Sequence, residues 1–116
     1  MSIQLSNSII NQERIHLLFE SEEQVIELMI EKEFSDVPIM KKIAVCESGM
    51  RQFDEKGKVI MGKAKEKGLF QIHPVWLTTM EKLGIDVDTI QGNIKAARYI
   101  LNVQGLSAWT CWNMVK

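Results

Sequence analysis

The chain has 116 residues, 46% of them hydrophobic and 25% charged, with a formal net charge of -1. That length gives one domain with a real core and no room for a second. The near-neutral balance lacks the basic footprint that nucleic acid or an anionic membrane requires, and no apolar run approaches the roughly 20 residues of a membrane span.

Residues 1–8 have neither a basic start nor a long apolar stretch, so no secretory leader is expected. Residues 1–10 read as a flexible N-terminal segment, and the domain is expected over 11–116. From Asn11 to Glu20, Ile15, Leu18 and Phe19 recur at helical spacing. Ser21-Glu22-Glu23-Gln24 is a capping-box pattern. The helix it opens carries Val25, Leu28 and Met29 on one side, with Ile26 and Ile30 beside them, and fades at Glu33-Phe34-Ser35. Asp36-Val37-Pro38 starts the next helix, with Asp36 as cap and Pro38 in a first turn where a missing N–H costs nothing. Its buried stripe is Ile39, Met40, Ile43 and Ala44, and Gly49 is the natural left-handed stop.

Asp54 and Gly57 open and close a four-residue turn, and the flanks of this turn predict a short β-hairpin. Residues 63–67 read as a charged, exposed loop. His73-Pro74 opens a helix bearing Trp76, Leu77, Met80 and Leu83, which Gly84 ends. Ile90, Ile94, Ala97 and Leu101 make the stripe of the next helix, widened by Ala96 and Ile100 and closed by Gly105. The tail holds Trp109 and Trp112, and so much apolar area is expected to dock on the body of the domain. The expected class is α+β, mainly α: about five helices with one short β-hairpin.

Glu47 shares the face of Ile43 and Ala44 at the end of the third of these helices, the one that Asp36 starts. Partial burial and the negative end of the helix dipole both disfavour its charged form. A carboxyl that keeps its proton near neutral pH is what a general acid needs. A solvated surface glutamate is the bland alternative. Cys46 and Cys111, with His16 and His73, have no zinc-finger spacing, so no metal site is expected. No phosphate loop, nucleophile elbow or nucleotide fingerprint is present, and no cofactor is expected.

Three motifs in order, Glu47-Ser48-Gly49, Gly68-Leu69-Phe70-Gln71-Ile72, and Asn93 followed by Ala96-Ala97-Arg98-Tyr99-Ile100-Leu101, resemble the lysozyme-like lytic transglycosylases, relatives of goose-type lysozymes. The likeness covers about residues 23 to 112. Cys46-Glu47-Ser48-Gly49 with Gln104-Gly105-Leu106-Ser107-Ala108-Trp109-Thr110-Cys111 also resembles the resuscitation-promoting factors, whose equivalent cysteines are bridged. That resemblance implies a Cys46–Cys111 disulfide and an extracytoplasmic setting; two reduced core thiols are the alternative.

The resemblance implies a lysozyme-like fold acting on peptidoglycan glycan strands, as a monomer. Glu47 would serve as acid and then base at the bond between N-acetylmuramic acid and N-acetylglucosamine, giving 1,6-anhydro products. Ser48, Gln71, Ile72 and Tyr99 would face the sugar, with Asn93, Arg51 and Phe70 also in the substrate-binding set. A hydrolytic muramidase would want a second carboxylate, for which Asp54 is the candidate. A third reading is a wall-binding module without catalysis. The family's usual Tyr-Asn-x-Gly segment is replaced by the Trp109 tail. Trp109 is thus a candidate sugar-stacking surface, although core packing suits it better.

Overall fold

Residues 22–116 are described by a computed structural model; the predicted helix over 11–20, the loose segment 1–10 and the Ser21 cap lie outside them. The described chain forms five α-helices: α1 (Glu22–Glu33), α2 (Ile39–Ser48), α3 (Leu77–Lys82), α4 (Ile90–Gln104) and α5 (Trp112–Val115). Short 3-10 turns at Pro74–Trp76 and Leu106–Ala108 lead into α3 and follow α4. None of these helices is long and apolar enough to cross a membrane.

In α1 the acidic first turn, Glu22 and Glu23, and Lys32 in the last turn complement the helix dipole. Its buried positions are Ile26 and Ile30, one helical turn apart, while Leu28 is 64% exposed. The expected Val25–Leu28–Met29 stripe is thus rotated: the face that meets Phe34 is the Ile26–Ile30 face, and Leu28 lies about 200° from either isoleucine.

Asp36 does not cap α2, whose N-cap is Pro38 with no side-chain hydrogen bond. Instead Asp36 takes a fork from Arg98 of α4, with Nη2 donating to Oδ1 at 2.7 Å and Nη1 to Oδ2 at 3.1 Å. Arg98 also donates to the Glu33 carbonyl and lies 4.8 Å above the Phe34 ring. The Arg98 guanidinium holds the Asp36 carboxyl below the ordinary carboxylate range. One side chain therefore pins the α1–α2 corner to α4.

α4 is the central helix, burying Asn93, Ile94, Ala96, Ala97 and Ile100. Thr89 starts it, its hydroxyl accepting from Gly92 N at 2.9 Å. An edge-to-face aromatic run crosses the core, Phe34 to Phe70 at 5.5 Å and Phe70 to Trp109 at 6.3 Å between centroids. Trp109 is 4% exposed and donates Nε1–H to the Phe70 carbonyl at 2.9 Å. The tail docks as its composition predicts, and this indole is core rather than a stacking surface.

The predicted hairpin forms only in outline. Gly57 N bonds Asp54 O at 3.0 Å, closing the expected turn. Beyond it the pairing is limited to isolated bridges, Phe53 with Val59, Met61 with Lys67 and Lys67 with Ile72. No β-strand forms among the described residues, which are all-helical with connecting turns. Each bridge is interrupted before it can propagate: Gly62 and Glu66 close a second tight turn, with Lys65 at φ 67°.

Candidate active site

Glu47 stands one residue from the end of α2. Gly49 stops the helix in the left-handed region at φ 69°, its N–H bonding Val45 O at 2.8 Å. The Glu47 side chain is half-buried, and Oε2 accepts from the backbone N–H of Cys111 at 3.4 Å. Burial pushes its carboxyl above the ordinary glutamate range. The Cys111 N–H opposes that, and the Glu66 carboxylate adds to it. At 3.4 Å the opposing bond is long, which limits how far it can favour the anion.

The Cys46–Cys111 disulfide is formed, with 6.0 Å between Cα atoms. It ties the residue before Glu47 to the residue that donates to Glu47. Closing a loop of 65 residues stabilises the fold by roughly 4 kcal/mol in the chain-entropy view.

Ser48 is buried and fully engaged. Its hydroxyl bonds Leu69 O at 2.7 Å and Ala44 O at 3.2 Å, and accepts from Arg51 N at 3.2 Å. It joins the end of α2 to the 67–72 turn and offers nothing outward. Asn93 is 0% exposed; its Oδ1 accepts from Phe70 N at 2.8 Å and its Nδ2 donates to Lys67 O and Val87 O, both at 2.9 Å. Gln52 is its counterpart, accepting from Leu69 N at 2.8 Å and donating to Val87 O at 3.0 Å. Phe70 and Ile72 are core side chains, and the Ile72 backbone is paired in both directions with Lys67. Asn93, Phe70, Ile72 and Ser48 are therefore buried parts of the platform, with their polar side chains bonded within the fold.

Gln71 is the outward residue of this turn. It is half-buried at φ 48°, and its Nε2 donates to Gly68 O at 3.0 Å. Its Oε1 and the Glu66 Oε1 both crowd the space that a side chain on Gly62 would need. Glu66 is folded back on its own turn, accepting from Ala64 N at 2.7 Å. Glu66, Gln71 and Gly62 are thus neighbours, and Glu66 is close enough for its charge to act on Glu47. Tyr99 packs its ring edge-on against Trp76, 6.2 Å between centroids. The single hydrogen bond to the Glu47 carboxyl among the described residues comes from Cys111, not from Tyr99.

Asp54 and Arg51 lie elsewhere. Asp54 is exposed, its Oδ1 accepting from Lys56 N at 2.8 Å and Lys58 N at 3.0 Å, a turn-closing arrangement that accounts for the residue. Arg51, Phe53, Asp54 and Glu55 line a cleft of about 420 Å3 against Glu22, Glu23 and Ile26, whose lining does not include Glu47. The carboxylate whose charge acts on Glu47 is Glu66, the one acidic residue of the lysine-rich segment 63–67 that reads as a solvated loop. Gln52 was equally hidden, since its partners lie 17 and 35 residues away. The chain matches none of the family models, curated proteins or solved structures with which it was compared.

Proposed function

We propose that this domain is a lysozyme-like, peptidoglycan-cleaving enzyme of the lytic transglycosylase type, working outside the cytoplasm with Glu47 as its acid and base. The observation that carries this reading is a half-buried carboxyl at a helix end, pushed toward its protonated form by burial. The short motifs at residues 47–49, 68–72 and 93–101 supply the substrate class. The Cys46–Cys111 bridge suits an oxidising compartment.

In this reading protonated Glu47 gives its proton to the glycosidic oxygen as the bond to N-acetylmuramic acid breaks. The substrate's acetamido oxygen meets the positive charge on the anomeric carbon. Glu47, now a carboxylate, takes the proton of the muramic 6-hydroxyl, whose oxygen closes the 1,6-anhydro ring and releases the acetamido group. The residue returns to its starting state, so one carboxyl suffices. Gln71, partly exposed on the 67–72 turn, is the candidate for a sugar contact.

A hydrolytic muramidase is the second reading, and one observation favours it. The charge of Glu66 acts on Glu47, and a hydrolase would recruit such a second carboxylate to activate water or stabilise the cation. Digestion of purified peptidoglycan followed by mass spectrometry separates the two. Anhydro-muropeptides support transglycosylation, and reducing ends lost in Glu66→Gln support hydrolysis. Glu47→Gln should lower either activity by about 10² to 10⁴; unaltered turnover in that variant would refute both.

A further inference from the structure

We propose that the Cys46–Cys111 bridge is a redox gate on Glu47, holding the last residues of the chain against its carboxyl in the oxidised protein and releasing them on reduction. The proposal deepens the assignment of Glu47 as the general acid and rests on it.

The argument begins with how the tail is held. Trp109 is anchored independently of the bridge, by core burial and by its bond to Phe70 O. Beyond it, the backbone N–H groups of residues 112–116 bond only to carbonyls of residues 109–112, so the tail's turns are self-contained. Its ties to the body are the bridge, the Cys111 N–H bond to Glu47, the approach of the Met114 sulfur to the Cys46 sulfur at 3.9 Å, and the partly buried Trp112 and Val115. Four-residue α5 has little helical stability of its own. The bridge is thus the strongest tie on a segment whose first residues wall one side of Glu47.

Local release is therefore the expected response to reduction, with the rest of the core in place. Cys46 is partly exposed while Cys111 is 6% exposed, so a thiolate would attack the Cys46 sulfur and Cys111 would leave. A dithiol reductant supplies the two electrons and two protons. Its own sulfurs join as a disulfide, and both cysteines become thiols.

Two effects on Glu47 then oppose each other. Loss of the Cys111 N–H removes a bond that favours the anion; loss of cover lets water in and favours the anion. The Cys111 N–H bond is long at 3.4 Å, so its loss weighs less than the water that enters when the tail leaves, and the carboxyl becomes a stronger acid. Glu66 is the charged group acting on Glu47, and its own bond, accepted from Ala64 N, does not involve the tail. A Glu47 that is ionised at neutral pH no longer starts the reaction as an acid.

The test is a carbon-13 NMR titration of the Glu47 carboxyl in the full chain, oxidised and then reduced with dithiothreitol, with amide exchange and peptidoglycan cleavage followed on the same samples. Reduction should move the Glu47 titration to lower pH and free the amides of 110–116 while α4 stays protected. Neutral-pH cleavage should fall about tenfold or more and return on reoxidation. Cys46→Ala/Cys111→Ala should copy the reduced protein under oxidising conditions. An unmoved Glu47 titration, retained cleavage in the reduced chain, or loss of α4 protection would each overturn the gate, the last by showing the bridge to be a global staple. If the oxidised protein does not cleave peptidoglycan at all, the enzymatic assignment fails, while the titration still decides the gate by itself.

Discussion

The turn over residues 67–72, beyond its own Lys67–Ile72 and Gly68–Gln71 bonds, is braced from outside itself. Its amides and carbonyls are met by Gln52 and Asn93, two buried carboxamides distant in the chain, and by the Ser48 hydroxyl. The loop just before it, 53–66, is held from within: Asp54 and Glu66 each fold back to accept an N–H of their own turn. Removing a brace from the first arrangement strands a buried N–H, of Leu69 if Gln52 is lost or of Phe70 if Asn93 is lost. The second loses only a local bond, and water replaces it. Of the residues around Glu47, those on 67–72 are therefore fixed, and those on 53–66, Glu66 included, can adjust.

Two glycines test that contrast most sharply. Gly68 and Gly57 both have positive φ, 74° and 78°, but a side chain at Gly68 would run into Gln52 and Asn93 while one at Gly57 meets nothing within 4 Å. Gly68→Ala should cost about 3 kcal/mol or more, or abolish folding, measured by urea unfolding. Asn93→Ala comes next, at about 2 kcal/mol, since it strands Phe70 N–H in the core, while the Lys67 and Val87 carbonyls keep their bonds from Ile72 N and Gln52 Nε2. Gly57→Ala should cost only the left-handed penalty, about 1 kcal/mol. Equal losses at the two glycines would show that the braces do not matter.

The smallest effect belongs to Glu47. A carboxyl whose folded pKa is raised contributes stability that is complete below its unfolded value and is lost as pH rises through the folded one. Glu47→Gln removes that loss, so the variant should gain on the wild type between pH 4 and pH 8, and not below. The gain should be a fraction of a kcal/mol, because the group is only half-buried and solvent screens it. A thermal-melt series across that range decides it; a variant that falls behind as pH rises would contradict the burial argument.

Much of the helical frame was legible because its signals are local. Gly49, Gly84 and Gly105 end helices where they stand, at φ 69°, 71° and 80°, and Pro74 lies in the first turn of its element. Leu28 was misplaced because the α1 pattern allows two faces, and only contact with Phe34 chooses between them. The strands predicted on either side of Asp54 fail because a second turn at 62–66 takes up the backbone groups that a ladder would need. Asn93 sits on the apolar face of α4, and nothing local to the sequence shows that its amide is consumed by a turn 23 to 26 residues earlier. Glu66 was hidden for a related reason: its charge acts on Glu47, far from it in the chain, and sequence neighbours do not record that.

The indole bond from Trp109 to the Phe70 carbonyl has a practical consequence. It gives the protein a built-in optical reporter at the junction of its tail and its central aromatic run. Because Trp109 is sealed from solvent while Trp76 and Trp112 are only partly covered, its emission should lie to the blue of theirs. Any event that unseats the chain terminus beyond position 109 would change the red component and leave the blue one, with no added dye.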